Sequence, residues 1–297
     1  MRQQDQIVGI AAGSSVAFIW SGWLVLNRLA AEQTLTPWDI IALRFIVAAV
    51  ALTPFFIIRK PWRRLRPAQM GWLALLGPAI PYSALMIVGL SFAPAAHGGV
   101  VANGLLPAAT MFLAWMLGGA APNRQRWIGV AIITVGVAAI GGGDLFAAVT
   151  LYPQAWKGHL LFVLSAVVLA GYMVLAARWS VHPADAASTV AVVNLAVIVP
   201  LWLLFLPSRI ADAPWGEILM HGLYQGLGPG FIGFLLFTLS IRRLGAPRAR
   251  ARSAVVPAGP ALFGVLFLGE TLQTIEVAGV ICAVAGIAMV ALAVERR

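Results

Sequence analysis

Polar side chains set inside long apolar runs are the residues of this sequence best placed to do chemistry. Trp20, Ser21 and Asn27 interrupt one run, Tyr82 and Ser83 a second, and Asn103 a third. Tyr172, Asn194, Tyr224, Gln225 and Ser253 do so further along. Polar groups are costly in hydrocarbon, so they concentrate where helices hydrogen-bond to one another or line a solute path. If they converge, Trp20, Ser21, Tyr82, Asn103, Tyr172, Gln225 and Ser253 build an aromatic, hydrogen-bonding cavity. The plainer alternative for each is an interhelical hydrogen bond. Arg44 is the one charge well within a run. It is either a structural ion pair or helix-cap contact near the outer helix end, with Asp39 or Glu32, or a counter-charge for a substrate carboxylate.

Helix-breaking residues recur in the same runs. Gly77–Pro78 and Gly228–Pro229 occupy matching places, as do Pro107 and Pro257. Paired Gly/Pro interruptions are expected where discontinuous helices line a binding cavity. Kinks that only help helices pack are the alternative.

Other chemistries are missing. There is no GxxxxGK[ST] loop for nucleotide phosphates and no HExxH pair. The segment from Gly228 to Gly233 satisfies GxGxxG, but it lies in an apolar run with no strand before it, so it is no dinucleotide site. The four histidines, His97, His159, His182 and His221, are scattered near run ends, and Cys282 is the single cysteine. An intramembrane enzyme would need such groups clustered at depth. No enzyme activity, cofactor, metal or nucleic acid is therefore expected. All ten carboxylates fall at run ends, loops or termini. A proton-coupled carrier of permanent cations needs a buried acid, so this placement favours neutral or zwitterionic solutes.

The elements that must position these residues follow from composition. Of 297 residues, 61% are hydrophobic and 10% charged, against about 25% charged in soluble domains. The 30 glycines and 18 prolines suit membrane helices. With about 20 apolar residues per crossing, the runs give ten spans: 6–29, 38–58, 69–91, 95–119, 125–143, 157–178, 185–206, 215–240, 247–269 and 274–294. The first reads as a retained span rather than a cleaved leader. Trp23, Trp38, Trp62, Trp72, Trp127, Trp156, Trp179 and Trp215 read mostly as span-end residues at the headgroup level.

With the N-terminus placed in the cytoplasm, 16 of the 20 Lys and Arg fall on that side, which puts both termini there. At an offset of 150 residues Pro107 meets Pro257, and Gly119, Gly129 and Gly136 meet Gly269, Gly279 and Gly286. Arg28 likewise meets Arg178. Five spans per half is an odd number, so the second half enters from the opposite face. The expected architecture is an all-α membrane protein of ten helices in two inverted five-helix repeats, 1–147 and 148–297, the architecture of secondary transporters.

Several short motifs carry a family resemblance. They are Trp20–Ser21–Gly22 in span one, Leu43–Arg44–Phe45 in span two, a proline in spans four and nine, and Leu268–Gly269–Glu270 before the last span. In this order over nearly the whole chain, they resemble the ten-span, EamA-domain branch of the drug/metabolite transporter superfamily, and within it the YddG-type amino-acid exporters. The first half departs from the repeat at Leu117–Gly118–Gly119–Ala120, which lacks the acid found at Glu270. The resemblance implies a bacterial inner-membrane exporter of amino acids, aromatic or otherwise neutral, working by alternating access. Its cavity would lie between spans one, three, four, six, eight and nine. The alternative is export of drug-like or other metabolites without amino-acid preference. One chain holding both halves makes a monomer sufficient, with an oligomer left open.

Overall fold

In the computed structural model, residues 3–146, 152–245 and 254–293 are described. They are helical throughout, with no β-strand among them. This follows from the composition: inside a bilayer, backbone groups find no water, and a helix pairs them within one segment. Span one is α1 (Gln3–Ala30) and span two α2 (Pro37–Arg59). Thr36 caps α2, exchanging bonds with Asp39 three residues on, while Pro37 supplies a preset first turn.

Span three is broken. Helix α3 (Pro67–Leu76) stops at Gly77–Pro78, and α4 (Ile80–Leu90) resumes after Ala79. Span four begins as α5 (Ala95–Gly98), passes through a π-helical turn at Gly99–Asn103, and continues as α6 (Gly104–Met116). Spans five, six and seven are α7 (Arg124–Phe146), α8 (Ala155–Arg178) and α9 (Pro183–Leu204). Span eight is α10 (Trp215–Leu227), a second π turn at Gly228–Ile232, and α11 (Gly233–Leu244). Last come α12 (Ala258–Leu268) and α13 (Thr274–Leu292).

Among the described residues, nine helical stretches are long and apolar enough to cross a membrane. The 11-residue α12 is shorter. The expected start of its span at 247, and with it Ser253, lies outside the described residues.

Helix contacts come in matched sets. Spans five and ten pack together as α7 against α13, and spans two and seven as α2 against α9. The α1–α11 contact of spans one and eight has its counterpart in α8–α4, of spans six and three. Likewise α1–α12 is matched by α8–α6, and α2–α10 by α9–α3. When span n is exchanged with span n + 5, the five–ten and two–seven pairs map onto themselves and the others map onto one another.

The α7–α13 seam is made by glycines. A Cβ on Gly136 would sit 2.6 Å from the Gly279 carbonyl oxygen, and one on Gly129 would lie 3.0 Å from that of Gly286. Backbones therefore meet directly, as small residues at the seam allow. The residues of interest gather on the other spans.

Candidate functional site

At the break in span three, proline removes a backbone donor and the chain supplies substitutes. Pro78 has no N–H to offer the Ala74 carbonyl four residues earlier. Asn194 of α9 fills that place: its Nδ2 donates to Ala74 O at 2.9 Å and to Val190 O at 2.8 Å. Its Oδ1 accepts from the Ile80 N–H at 3.1 Å, satisfying the first turn of α4. From α2, Arg44 Nη2 donates to the Pro78 carbonyl at 3.3 Å. Arg44 and Asn194 are 150 residues apart and serve one break from two sides. The ring of Tyr172 lies beside it, 3.3 Å from where a Cβ on Gly77 would be.

Span eight repeats the device. Trp20 Nε1 of α1 donates to the Pro229 carbonyl at 3.3 Å, inside the π turn. The Trp20 ring packs against Phe237, centroids 5.8 Å apart.

Between the two breaks lies a buried cluster. Trp23 stacks on Tyr82 with centroids 5.9 Å apart and planes 11° from parallel. Trp23 Nε1 donates to Gln225 Oε1. Gln225 Nε2 donates to Asn27 Oδ1 at 2.7 Å, and Asn27 Nδ2 donates to the Trp23 carbonyl at 2.6 Å. The Arg44 guanidinium lies 5.4 Å from the Trp23 ring centroid, within cation–π range. Arg44 is only 5% exposed, and its Nη1 has no hydrogen-bond partner.

Of the two structural roles expected for Arg44, the ion pair with Asp39 or Glu32 does not form, and its contact is instead with a backbone carbonyl at a helix break. Asp39 is taken by Trp202 and Ser208 side chains and by the N–H groups of Arg209 and Thr36, while Glu32 pairs with Arg28 at 3.4 Å. Trp23, expected at the headgroup level, is instead 4% exposed at the centre of the cluster. Its three-residue spacing from Trp20 was the available signal.

The remaining candidates fall around this core. Ser21 is buried where α1 crosses α12, so close that a Cβ on Gly259 would collide with its Oγ. Pro257 caps the start of α12, and its carbonyl would meet a Cβ on Gly99 at 3.0 Å. Asn103 ends the π turn of span four, half-buried, and Pro107 is half-buried in α6. Tyr82 and Gln225 are thus brought together through Trp23. Trp20 and Pro229 meet at the second break, Tyr172 and Gly77 at the first.

The face of the bundle opposite the start of α1 holds a second group of polar residues. Glu270, between α12 and α13, accepts the Ala95 N–H at 3.0 and 3.2 Å, capping the start of α5. Arg28 Nε lies 3.6 Å from its carboxylate. Burial pushes the Glu270 carboxyl above its ordinary range, opposed by the Ala95 N–H and by Arg28. A pocket of about 260 Å³ opens beside it, lined by Arg28, Glu32, Tyr152, Gly269 and Glu270. At the other face, Arg178 donates to the Leu117 carbonyl at 2.7 Å. Arg28 and Arg178 therefore hold equivalent loops, and only the one carrying Glu270 offers an acid.

The sequence model of the EamA-like transporter family matches twice, at residues 7–142 and 156–292. The chain belongs to the EamA-like transporter family. An EamA repeat pair and the helical architecture above are what that membership describes, and the protein is a multi-pass membrane transporter. A "UPF0060 membrane protein" from Acidovorax sp. (strain JS42) is 32% identical over 106 residues, covering 35% of this chain and 92% of its own. A solved protein structure superposes with a TM-score of 0.63 at 20% identity over 98% of both chains, which is a likeness of fold.

Proposed function

We propose that this EamA transporter exports neutral amino acids, aromatic ones above all, across the bacterial inner membrane by alternating access. This is the YddG-like reading, with both termini cytoplasmic and repeats 1–147 and 148–297 inverted about the membrane plane. The observation that carries it is the pair of broken spans around an aromatic–amide cluster. Each break exposes backbone polar groups at depth, and each is held by a side chain from another span: Trp20 at Pro229, Arg44 and Asn194 at Gly77–Ala79.

Such a site suits a zwitterion with a flat side chain. Stacking faces come from Trp20, Trp23, Tyr82 and Tyr172. Amide groups of Asn103 and Gln225 suit the ammonium. The Arg44 Nη1, buried without a partner, suits the carboxylate. Ser21, Pro107 and Pro257 border the path. Opening requires separation of the Trp23–Gln225–Asn27 contacts, since these join α1 to α10. Both repeats lie in one chain, so a monomer suffices.

Equilibrium binding of labelled phenylalanine, leucine and a drug-like cation to purified protein tests the assignment. Saturable amino-acid binding weakened at least tenfold by Asn103→Ala or Arg44→Met is expected. Amino-acid binding undiminished in both variants would remove this site from the account, and binding of the cation alone would remove the substrate class.

A further inference from the structure

The second polar group extends beyond Glu270 into an arrangement that the proposed transport reading does not use. His97 lies in α5, the four-residue helix whose start Glu270 caps, and is 1% exposed. Its Nε2 is 2.8 Å from Glu276 Oε1 on α13, and its Nδ1 is 2.9 Å from Nε2 of the half-buried His159 on α8. Glu276 also accepts the Gln273 N–H at 2.7 Å. Three helices thus meet through one imidazole.

We propose that His97, His159 and Glu276 form a one-proton binding site that couples proton uptake from this face to closure of the same face. The inference rests on the transport reading only for its purpose. Its chemistry stands on the geometry.

Each short contact has room for a single hydrogen. With Glu276 ionised and both imidazoles neutral, His97 Nε2–H donates to Glu276, and His159 Nε2–H donates to His97 Nδ1. A proton arriving at His159 Nδ1 lets the Nε2 hydrogen of His159 pass to His97 Nδ1. His97 is then an imidazolium donating to Glu276 and to His159 Nε2, and His159 is neutral with its hydrogen on Nδ1. One proton has entered, both contacts persist, and the charge has moved inward by one residue. A tightly bound cation is disfavoured as the ligand, since both His97 nitrogens are already engaged and no group of three metal-binding side chains is arranged for one among the described residues.

The charge lands where it affects closure. His97 shares α5 with the backbone N–H of Ala95, which Glu270 grips, and α12 packs directly on α5. The groups facing His97 are Glu276 from α13, Glu270 from the α12–α13 segment, His159 from α8 and Arg28 from α1, the last paired with Glu270. Lys157, on the first turn of α8, lies instead over the Phe92 and Trp156 rings. An imidazolium at position 97 therefore bonds the Glu276 carboxylate and acts electrostatically on Glu270, and its positive charge draws the α12–α13 segment onto α5. Loss of the proton removes that attraction and leaves the Glu270–Ala95 contact to hold alone. Low pH on this face favours closure, and high pH favours opening. The opposite face has Ala120 where the acid would be.

The test uses the full chain in nanodiscs without substrate, so it is independent of what the protein transports. Nitrogen-15 histidine spectra are followed from about pH 5 to 8.5, with His97→Gln and His159→Gln assigning the signals. Wild type is expected to show both histidines shifting together in one single-proton step. Glu276→Gln should displace that step, because the carboxylate that His97 donates to is gone. In a Cys282→Ala background, spin labels at Ser91→Cys and Thr271→Cys report the width of this face. Their short-distance population should fall as pH rises through that midpoint, and should ignore pH in His97→Gln. Histidines that do not titrate, or that titrate separately and unaffected by Glu276→Gln, would overturn the site. A label distance flat across a normal titration would overturn the coupling.

Discussion

Replacing Asn194 by leucine removes three hydrogen bonds while nearly keeping the side-chain volume. The Val190 carbonyl lies within α9 and keeps its helical partner. The Ala74 carbonyl and the Ile80 N–H do not, because Pro78 has no hydrogen to give and Gly77 has ended the helix. Each backbone group left unpaired away from water costs about 1–3 kcal/mol. Two give about 2–6 kcal/mol, whereas side-chain bonds between membrane helices average only about 0.6 kcal/mol. The larger scale applies here because the break offers these groups no other partner, and a loss of about 2–4 kcal/mol is expected once local relaxation is allowed for. Ser83, also fully buried nearby, is the comparison: its hydroxyl has no partner, so Ser83→Ala should cost nothing and can stabilise. Reversible unfolding in mixed micelles, followed by tryptophan fluorescence, measures both. Equal losses in the two variants, or an Asn194→Leu loss below about 0.5 kcal/mol, would refute the reasoning that the break is satisfied by Asn194.

Two further outcomes follow from the packing and the charges. Gly136→Ala places a methyl 2.6 Å from a backbone oxygen of α13 and should cost about 1–3 kcal/mol. Gly71→Ala meets nothing within 4 Å and should gain up to about 1 kcal/mol from helix propensity, both read in the same unfolding assay. Glu270 holds its proton more readily folded than unfolded because burial raises its folded carboxyl. That contribution to stability is complete below the ordinary carboxylate range and is lost as pH rises through the folded midpoint. Glu270→Gln keeps an oxygen for the Ala95 N–H and has no such titration. Its melting temperature should fall less than that of wild type between about pH 4 and 7, as thermal scans at a series of pH values will show.

Much of the fold is legible in the sequence because bilayer thickness sets span length and the bilayer forbids unpaired backbone. The Gly/Pro breaks in spans three and eight are equally plain, since proline lacks a donor wherever it stands. What holds the breaks was not legible. Asn194 lies 116 residues from Pro78, and Arg44 reaches the same proline from a third helix, a convergence that depends on helix packing. Trp23 is similar: a tryptophan near a span end reads as interfacial until the stack on Tyr82 and the bond to Gln225 bury it. Carboxylates misled for the opposite reason. Asp39, Asp185, Glu270 and Glu276 stand at helix ends in the sequence, yet folding buries all four against specific partners.

Counterflow in proteoliposomes tests the central claim most directly. Vesicles loaded with unlabelled phenylalanine are given labelled phenylalanine outside, with wild type and Trp20→Ala compared at equal protein. The account predicts saturable exchange by wild type, competed by other neutral amino acids, and at least a tenfold lower rate in Trp20→Ala. No exchange of any neutral amino acid, in vesicles where the same protein moves another solute, would contradict it.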